Sequence, residues 1–275
     1  MKLGFILFIA FAGLLFILGC KDAKTGIVIP ETVEKYPTTL NTEWEYETAS
    51  YVAKYDKNGN LGIDSLLQPM TYSILKISSV NDSVNGERNL IRFDFSYKSG
   101  VSVVKNWYRN SDNTFERIAS SGYSEVWVTP KLKKSDPIHF LQHLLRNTFP
   151  DGVVFSPNDS VYINKRIILQ YPLVVGKSWD VFITKDFFIT RTILWTQLLP
   201  YRNGNVNCYD IKSIYYRDNG LDRQTDEHDF ISLEYGLVKR ETIIDSLPLT
   251  TVENPDGTGD FVRFKITSTL VRKSN

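Results

Sequence analysis

The chain predicts an all-β fold: a strongly curved antiparallel sheet or open barrel with one amphipathic helix packed on it. Three observations carry that prediction. Apolar and polar residues alternate with period two, most cleanly in Ile91, Phe93, Phe95 and Tyr97 against Arg92, Asp94, Ser96 and Lys98, the mark of a strand with one buried and one wet face. Turn residues interrupt the alternation at short intervals, as in Asn110-Ser111-Asp112-Asn113 and Ser120-Ser121-Gly122. A load of 16 Phe, 15 Tyr and 5 Trp falls mostly on the alternating apolar positions, where packing one face of a sheet requires it.

The elements follow in order. The fold begins near Tyr36, after a stretch with Gly26, Pro30 and Pro37 and no periodicity that reads as a tether. In the first strand Trp44, Tyr46 and Thr48 take one face and Glu43, Glu45 and Glu47 the other. An Asn-Gly turn at Asp56-Lys57-Asn58-Gly59-Asn60 then leads to a returning strand over Leu66 to Val80. Val101 to Tyr108, Thr114 to Ala119 and Tyr123 to Thr129 read as further strands. The helix starts with Asp136 as N-cap and Pro137 at its first position, and runs to Asn147 with Ile138, Leu141, Leu144 and Leu145 on one face. Strands resume at Arg166 to Tyr171, Trp179 to Trp195, Asn205 to Tyr216, Asp229 to Leu233, Gly236 to Ile244 and Phe261 to Val271. The run from Trp179 to Leu199 is long for one strand, so it is either strongly bent or two strands joined near Lys185-Asp186. Tyr36-Pro37 precedes Trp44 as Tyr171-Pro172 precedes Trp179, at an offset of 135 residues. That echo suggests two related halves, about 38–130 and 165–275, within a single domain spanning 38–275.

Ahead of the domain lie a leader over 1–19 and a tether over 20–37. Lys2 precedes an apolar run from Leu3 to Leu18 that spans roughly 24 Å as a helix, shorter than the ~30 Å hydrocarbon core, as a signal segment does. It ends in Ile17-Leu18-Gly19-Cys20, which resembles the lipobox of bacterial lipoproteins. The resemblance implies cleavage between Gly19 and Cys20, diacylglyceryl transfer to the Cys20 thiol and acylation of the new amine. The acyl chains would anchor the protein to a membrane, each methylene contributing ~0.8 kcal/mol. Lys21 stands where an aspartate would retain such a protein in the inner membrane of some bacteria, so the outer membrane of the cell envelope is the expected location.

Composition narrows the partners. With 32 basic and 31 acidic residues, and Lys2 leaving with the leader, the mature chain is formally neutral, which argues against nucleic acid or a polybasic membrane patch. Lipidation consumes one of the two cysteines, so Cys208 has no disulfide partner and reads as a small buried hydrophobe.

No motif specifies a reaction, cofactor or metal. His139 and His143 are four apart on the helix, but Phe140 stands where a zinc protease carries its Glu. Gly176-Lys177-Ser178 lacks the first glycine of a phosphate-binding loop. Asp56, Asn58, Asn60 and Asp64 resemble a calcium loop, with Leu67 in place of the bidentate carboxylate. Asp226, Glu227, His228 and Asp229 form an acidic run around the third histidine. The candidate ligand-facing groups are aromatic: Trp44, Phe93, Phe95, Trp179 and Phe264.

Tyr171-Pro172-Leu173-Val174-Val175-Gly176-Lys177-Ser178-Trp179, Asn207-Cys208-Tyr209-Asp210-Ile211 and Glu234-Tyr235-Gly236-Leu237-Val238-Lys239-Arg240-Glu241 resemble a series common in uncharacterised bacterial lipoproteins with β-rich ectodomains. That group is similar in outline to the outer-membrane lipoprotein carrier superfamily, whose curved antiparallel sheet holds acyl chains. The expected function is a non-enzymatic binding or interaction module, its partner a protein or hydrophobic ligand. The alternatives are a carrier or sensor of a hydrophobic ligand, and an envelope hydrolase using His228 with Asp226 and Glu227.

Overall fold

A computed structural model describes residues 33–67, 70–98, 103–121, 161–183, 187–217, 220–221, 224–248 and 260–274. Glu34–Asn275 form one compact unit. The expected helix over Pro137 to Asn147, the strand over Tyr123 to Thr129, and Gly19 and Cys20 lie outside the described residues. Among the described residues every regular element is a strand.

Fourteen strands run in chain order: β1 (Glu43–Lys54), β2 (Ser65–Leu66), β3 (Thr71–Val84), β4 (Glu87–Tyr97), β5 (Val103–Asn110), β6 (Thr114–Ser121), β7 (Val161–Gln170), β8 (Ser178–Ile183), β9 (Phe187–Tyr201), β10 (Gly204–Arg217), β11 (Gly220–Leu221), β12 (Thr225–Ser232), β13 (Gly236–Pro248) and β14 (Phe261–Ser274). The long run after Trp179 is therefore two strands, β8 and β9. Twelve strands form one antiparallel sheet in the order β7-β6-β5-β4-β3-β1-β14-β13-β12-β10-β9-β8, with β2 beside β1 and β11 beside β10.

The order has an internal logic. From β1 the chain meanders outward through β3, β4, β5 and β6 to β7, then crosses to the opposite edge at β8 and meanders back through β9, β10, β12 and β13 to β14, which pairs with β1. Each half is thus a six-stranded meander, and the first strand of each lies beside the last strand of the other. β1 and β14 are joined by a ladder from Glu43↔Ser274 to Lys54↔Val262. At the other seam side chains make the link: Trp179 Nε1 donates to Ile167 O at 3.1 Å, Arg191 Nη1 to Ile168 O at 3.2 Å, and the Arg166 guanidinium lies 4.8 Å from the Phe182 ring. The sheet is a nearly closed barrel, an arrangement that leaves little free edge for pairing with other chains.

Alternation sets what faces inward. Trp44, Tyr46, Leu75, Phe93, Phe95, Tyr108, Phe115, Ile193, Ile211 and Leu237 belong to one buried cluster drawn from both halves; each such side chain contributes roughly 1.5–3 kcal/mol relative to exposure. The outer face is polar, where Arg272 pairs with Glu43 and Glu45, and Lys98 with Glu45. A satellite cluster of Leu90, Trp107, Ile118 and Ala119 forms where the β3–β4 hairpin, bent by successive register shifts, packs beside β5 and β6.

The register also distinguishes the two ends. At one, β3–β4, β5–β6, β7–β8, β9–β10 and β12–β13 are joined by turns of two to seven residues, and the chain leading into β1 arrives. The other end carries the β8–β9 connection and the longer β1–β2, β6–β7 and β13–β14 connections.

Candidate functional site

The short-turn end is sealed by the segment leading into β1. Lys35 Nζ pairs with Asp112 Oδ1 at 2.6 Å, fixing the segment to the β5–β6 turn. Tyr36 N donates to Tyr171 Oη at 2.8 Å, Tyr171 Oη donates to Asn110 Oδ1 at 3.1 Å, and Asn110 Nδ2 returns to Tyr36 O at 2.9 Å. The two tyrosines of the sequence echo are therefore bonded to each other. Leu237 N donates to Tyr36 Oη at 3.2 Å, and Trp44 Nε1 to Tyr235 O at 2.6 Å. Only glycine fits at 236: its φ is +84°, and a Cβ there would stand 2.9 Å from Tyr36 Oη. Burial pushes the Tyr36, Tyr46 and Tyr171 phenols above their ordinary range, so these hydroxyls act as neutral hydrogen-bonding groups.

Below the seal lies a stack of rings. Tyr36 stacks on Phe115 at 4.7 Å, Phe115 on Tyr108 at 4.9 Å, Phe93 meets Tyr108 edge-on at 4.8 Å, and Trp44 lies over Phe93 at 5.9 Å. Of the aromatic candidates, the structure brings Trp44, Phe93, Phe95 and Trp179 into this one cluster. Phe264 lies apart from them, packed with Ile266 on β14. All five are buried.

The second half places an ionic group in the interior that alternation alone does not announce. Asp229 on β12 is fully buried and receives Arg240 from β13 twice, Nε to Oδ1 at 2.5 Å and Nη2 to Oδ2 at 2.6 Å. Arg191 of β9 adds Nη2 to Oδ2 at 3.0 Å, and its Nε donates to Ser213 Oγ at 3.2 Å. Burial alone would lower the Arg240 pKa; the Asp229 charge and hydrogen bonds outweigh it and hold the guanidinium above its ordinary value. The signal available in sequence was a charge at an inward position, Arg191 between Ile189 and Ile193. Two more buried arginines, Arg117 and Arg166, are opposite each other in the β6–β7 register.

The acidic run around His228 does not converge. Strand alternation turns Glu227 inward, where Thr242 Oγ1 donates to it at 3.4 Å, while His228 remains partly exposed. His228 Nδ1 is 2.6 Å from Asp210 Oδ1 and its Nε2 3.4 Å from Asp226 Oδ1, which also receives Lys212 Nζ at 2.5 Å. Both ring nitrogens thus face carboxylates. Among the described residues no group of three His, Cys, Asp or Glu side chains could hold a metal ion. The Asp56 loop is closed on itself: the carboxylate accepts from Asn58 N, Asn60 N and Asn60 Nδ2, which holds it below the usual carboxylate range, and Asp64 receives Arg263. Cys208 is buried, its thiol pushed up to about 12 by desolvation.

The clefts among the described residues include two that open on the surface. One, of about 290 Å³, lies on the outer face between β1, β14 and β13, with Glu47, Asp64, Lys239, Glu241 and Lys265 around it. The other, of about 460 Å³, lies at the short-turn end among Tyr201, Arg202, Asn205, Glu234, Tyr235 and Lys273. There the Tyr201 and Tyr235 rings meet at 5.1 Å, with Arg202 5.3 Å from the first ring and Lys273 5.6 Å from the second. Sequence reading missed this cleft, because its residues come from three separate strand ends.

No protein-family model matches the chain, and no curated protein does. Two solved structures align with it. One, from Bacteroides fragilis, is described as an exported protein with a YmcC-like fold; it is 11% identical, with 88% of this chain and 100% of that one covered and a TM-score of 0.40. The other, from Parabacteroides distasonis, is described as a lipoprotein; it is 13% identical, with 87% and 97% covered and a TM-score of 0.37. At these values neither bears on the site.

Proposed function

We propose that the chain is a lipid-anchored protein of the bacterial cell envelope, held at the outer membrane through Cys20, whose barrel serves as a non-enzymatic binding or interaction module. The observation that carries this reading is the Ile17-Leu18-Gly19-Cys20 ending of the leader, placed a short tether ahead of a neutral barrel with a polar outer face. The module reading draws support from the interior charges, since Asp229, Arg191 and Arg240 are spent on one another. The test is metabolic labelling of cells with an alkyne analogue of palmitate. The wild-type chain takes up label and fractionates with the outer membrane, and Cys20→Ala takes up none and keeps its leader. Equal labelling of the variant would sink the lipid anchor.

A second reading, carriage of a hydrophobic ligand, rests on the twelve-stranded sheet, a strand number that permits an enclosed cavity; the mutual stacking of Trp44 and Phe93 with their neighbours counts against it. Native mass spectrometry of the lipoprotein, gently purified from its own membrane, separates the two readings. A retained lipid-sized mass beyond the covalent acyl chains supports the carrier, and its absence supports the filled module.

A further inference from the structure

The tether reaches the barrel at its sealed end. Lys35 is fixed there by Asp112, and the fifteen residues from Cys20 to Glu34 extend at most about 50 Å. A twelve-residue strand such as β1 is itself about 40 Å long. The short-turn end is therefore the one an anchored barrel holds nearest the bilayer, unless the tether doubles back along the whole wall.

Among the described residues, Arg202 and Lys273 stand together at this end without a carboxylate partner, as Lys76, Lys105 and Lys177 do singly, whereas many cations of the wall are paired. Lys54, Lys98, Arg92, Arg263 and Arg272 each meet a carboxylate. Arg202, held at φ 52°, donates Nη2 to Lys273 O at 3.3 Å, and Lys273 donates Nζ to Glu234 O at 2.7 Å. Among the described residues neither forms an ion pair. The nearby Glu234 carboxylate is engaged by the Tyr235 hydroxyl, which raises the pKa of that phenol. Both cations border the 460 Å³ cleft, together with the amides of Asn203 and Asn205. At the same end Val174 and Val175, on the β7–β8 turn, are 53% and 52% exposed, and Leu40, on the leading segment, is 44% exposed. Exposed apolar turn residues at the same end as tyrosines and cations match the strata of a lipid surface, acyl boundary below and phosphates above.

We propose that the short-turn end docks on the bilayer, with a phospholipid phosphate seated between Arg202 and Lys273 and with Val174, Val175 and Leu40 against the acyl boundary. This orientation rests on the lipid-anchor reading. It leaves the loop end, with the exposed Ile63, Ile183 and Phe261, facing away from the membrane and available to whatever the module binds.

The test uses the full lipidated chain in vesicles of phosphatidylcholine with phosphatidylglycerol, carrying an environment-sensitive dye on Val175→Cys or, at the opposite end, on Ile63→Cys. The buried Cys208 thiol stays unlabelled. Docking predicts that brominated lipid quenches the dye at 175 and spares the dye at 63. Arg202→Gln and Lys273→Gln should each lower the docked fraction by about fivefold, the usual weight of one cation at an anionic surface. A protein that floats with the vesicles while its 175 dye remains in water refutes docking and leaves the anchor intact. Quenching at 63 in place of 175 reverses the orientation and refutes it equally, and quenching indifferent to both substitutions removes the phosphate seat. A chain that does not float removes the anchor, and this orientation with it.

Discussion

The two halves of the barrel follow the same six-strand path but differ in their most prominent interior group, a ring stack in the first, which also buries Arg117 and Arg166, and a paired ion group in the second. In the first, Trp44, Phe93, Tyr108 and Phe115 stack at ring separations of 4.8 to 6.2 Å. In the second, Asp229 sits among the guanidiniums of Arg191 and Arg240. Ring stacking draws on burial and dispersion, which tolerate small displacements. A buried ion group tolerates none, because desolvation is recovered only while every partner is in place. Topology alone therefore does not determine how a sheet of this kind is stabilised.

Substitution should expose that difference. Asp229→Ala leaves two buried guanidiniums without their carboxylate and is expected to cost about 3–5 kcal/mol. Phe93→Ala opens a cavity in the stack at a similar cost of about 3–5 kcal/mol. The two losses differ in how they can be repaired. Replacing the ionic group as a whole, with Asp229→Leu, Arg191→Met and Arg240→Met together, should recover most of the stability lost in the single variant, since apolar residues of like volume often match a buried ion group. Urea midpoints measure both. If the triple variant proves no more stable than Asp229→Ala, the arginines have a role beyond balancing Asp229, and the bond from Arg191 to Ile168 O across the seam is where to look.

The contrast also explains what could be read in the sequence. Strands with one buried and one wet face announce themselves by alternation, so β1, β4, β10, β13 and β14 fall close to their expected spans, and the ring positions come with them. The ionic group was illegible because its members lie on three strands, Arg191 and Asp229 being 38 residues apart, and because register shifts after Asp210 and Phe230 interrupt the period. The Tyr-Pro echo was legible as a repeat, but a repeat does not say that its two copies touch. The end cleft gave no signal at all: Tyr201, Tyr235 and Lys273 are far apart in sequence and meet only when β9, β12, β13 and β14 are assembled in one curved sheet.

The joint between the halves offers a smaller and sharper test. Tyr171→Phe deprives the buried Tyr36 N of its acceptor and Asn110 of a donor, at an expected cost of about 1–3 kcal/mol. Tyr36→Phe, which deprives Leu237 N in the same way, should cost a similar amount. Hydrogen exchange at the amides of residues 36 and 237 provides the check. Each substitution should speed exchange at the amide whose acceptor it removes more than at the other. Equal acceleration at both would mean that the seal opens as one unit.

The smallest expected effect concerns a surface feature that only the first half has. Its β3–β4 hairpin bends toward β5 and β7, and Glu87 pins it by receiving Arg109 Nη2 and Lys165 Nζ, each at 2.8 Å; the equivalent β9–β10 hairpin has a single register shift, at Asp210, and pairs regularly from there to Tyr201↔Gly204. Hydrogen bonding to Lys165, then to Arg109, lowers the Glu87 pKa from 4.5 to about 2. A carboxylate whose folded pKa lies below its unfolded value stabilises the fold above the unfolded pKa, and that contribution fades as pH falls through the folded one. The stability difference between wild type and Glu87→Gln should therefore be constant above pH 4.5, shrink between 4.5 and about 2, and vanish below. Solvent around this exposed group keeps the difference small, so the informative quantity is its pH dependence in paired urea titrations. A difference that persists unchanged in acid would show that Glu87 holds the hairpin by packing and not by charge.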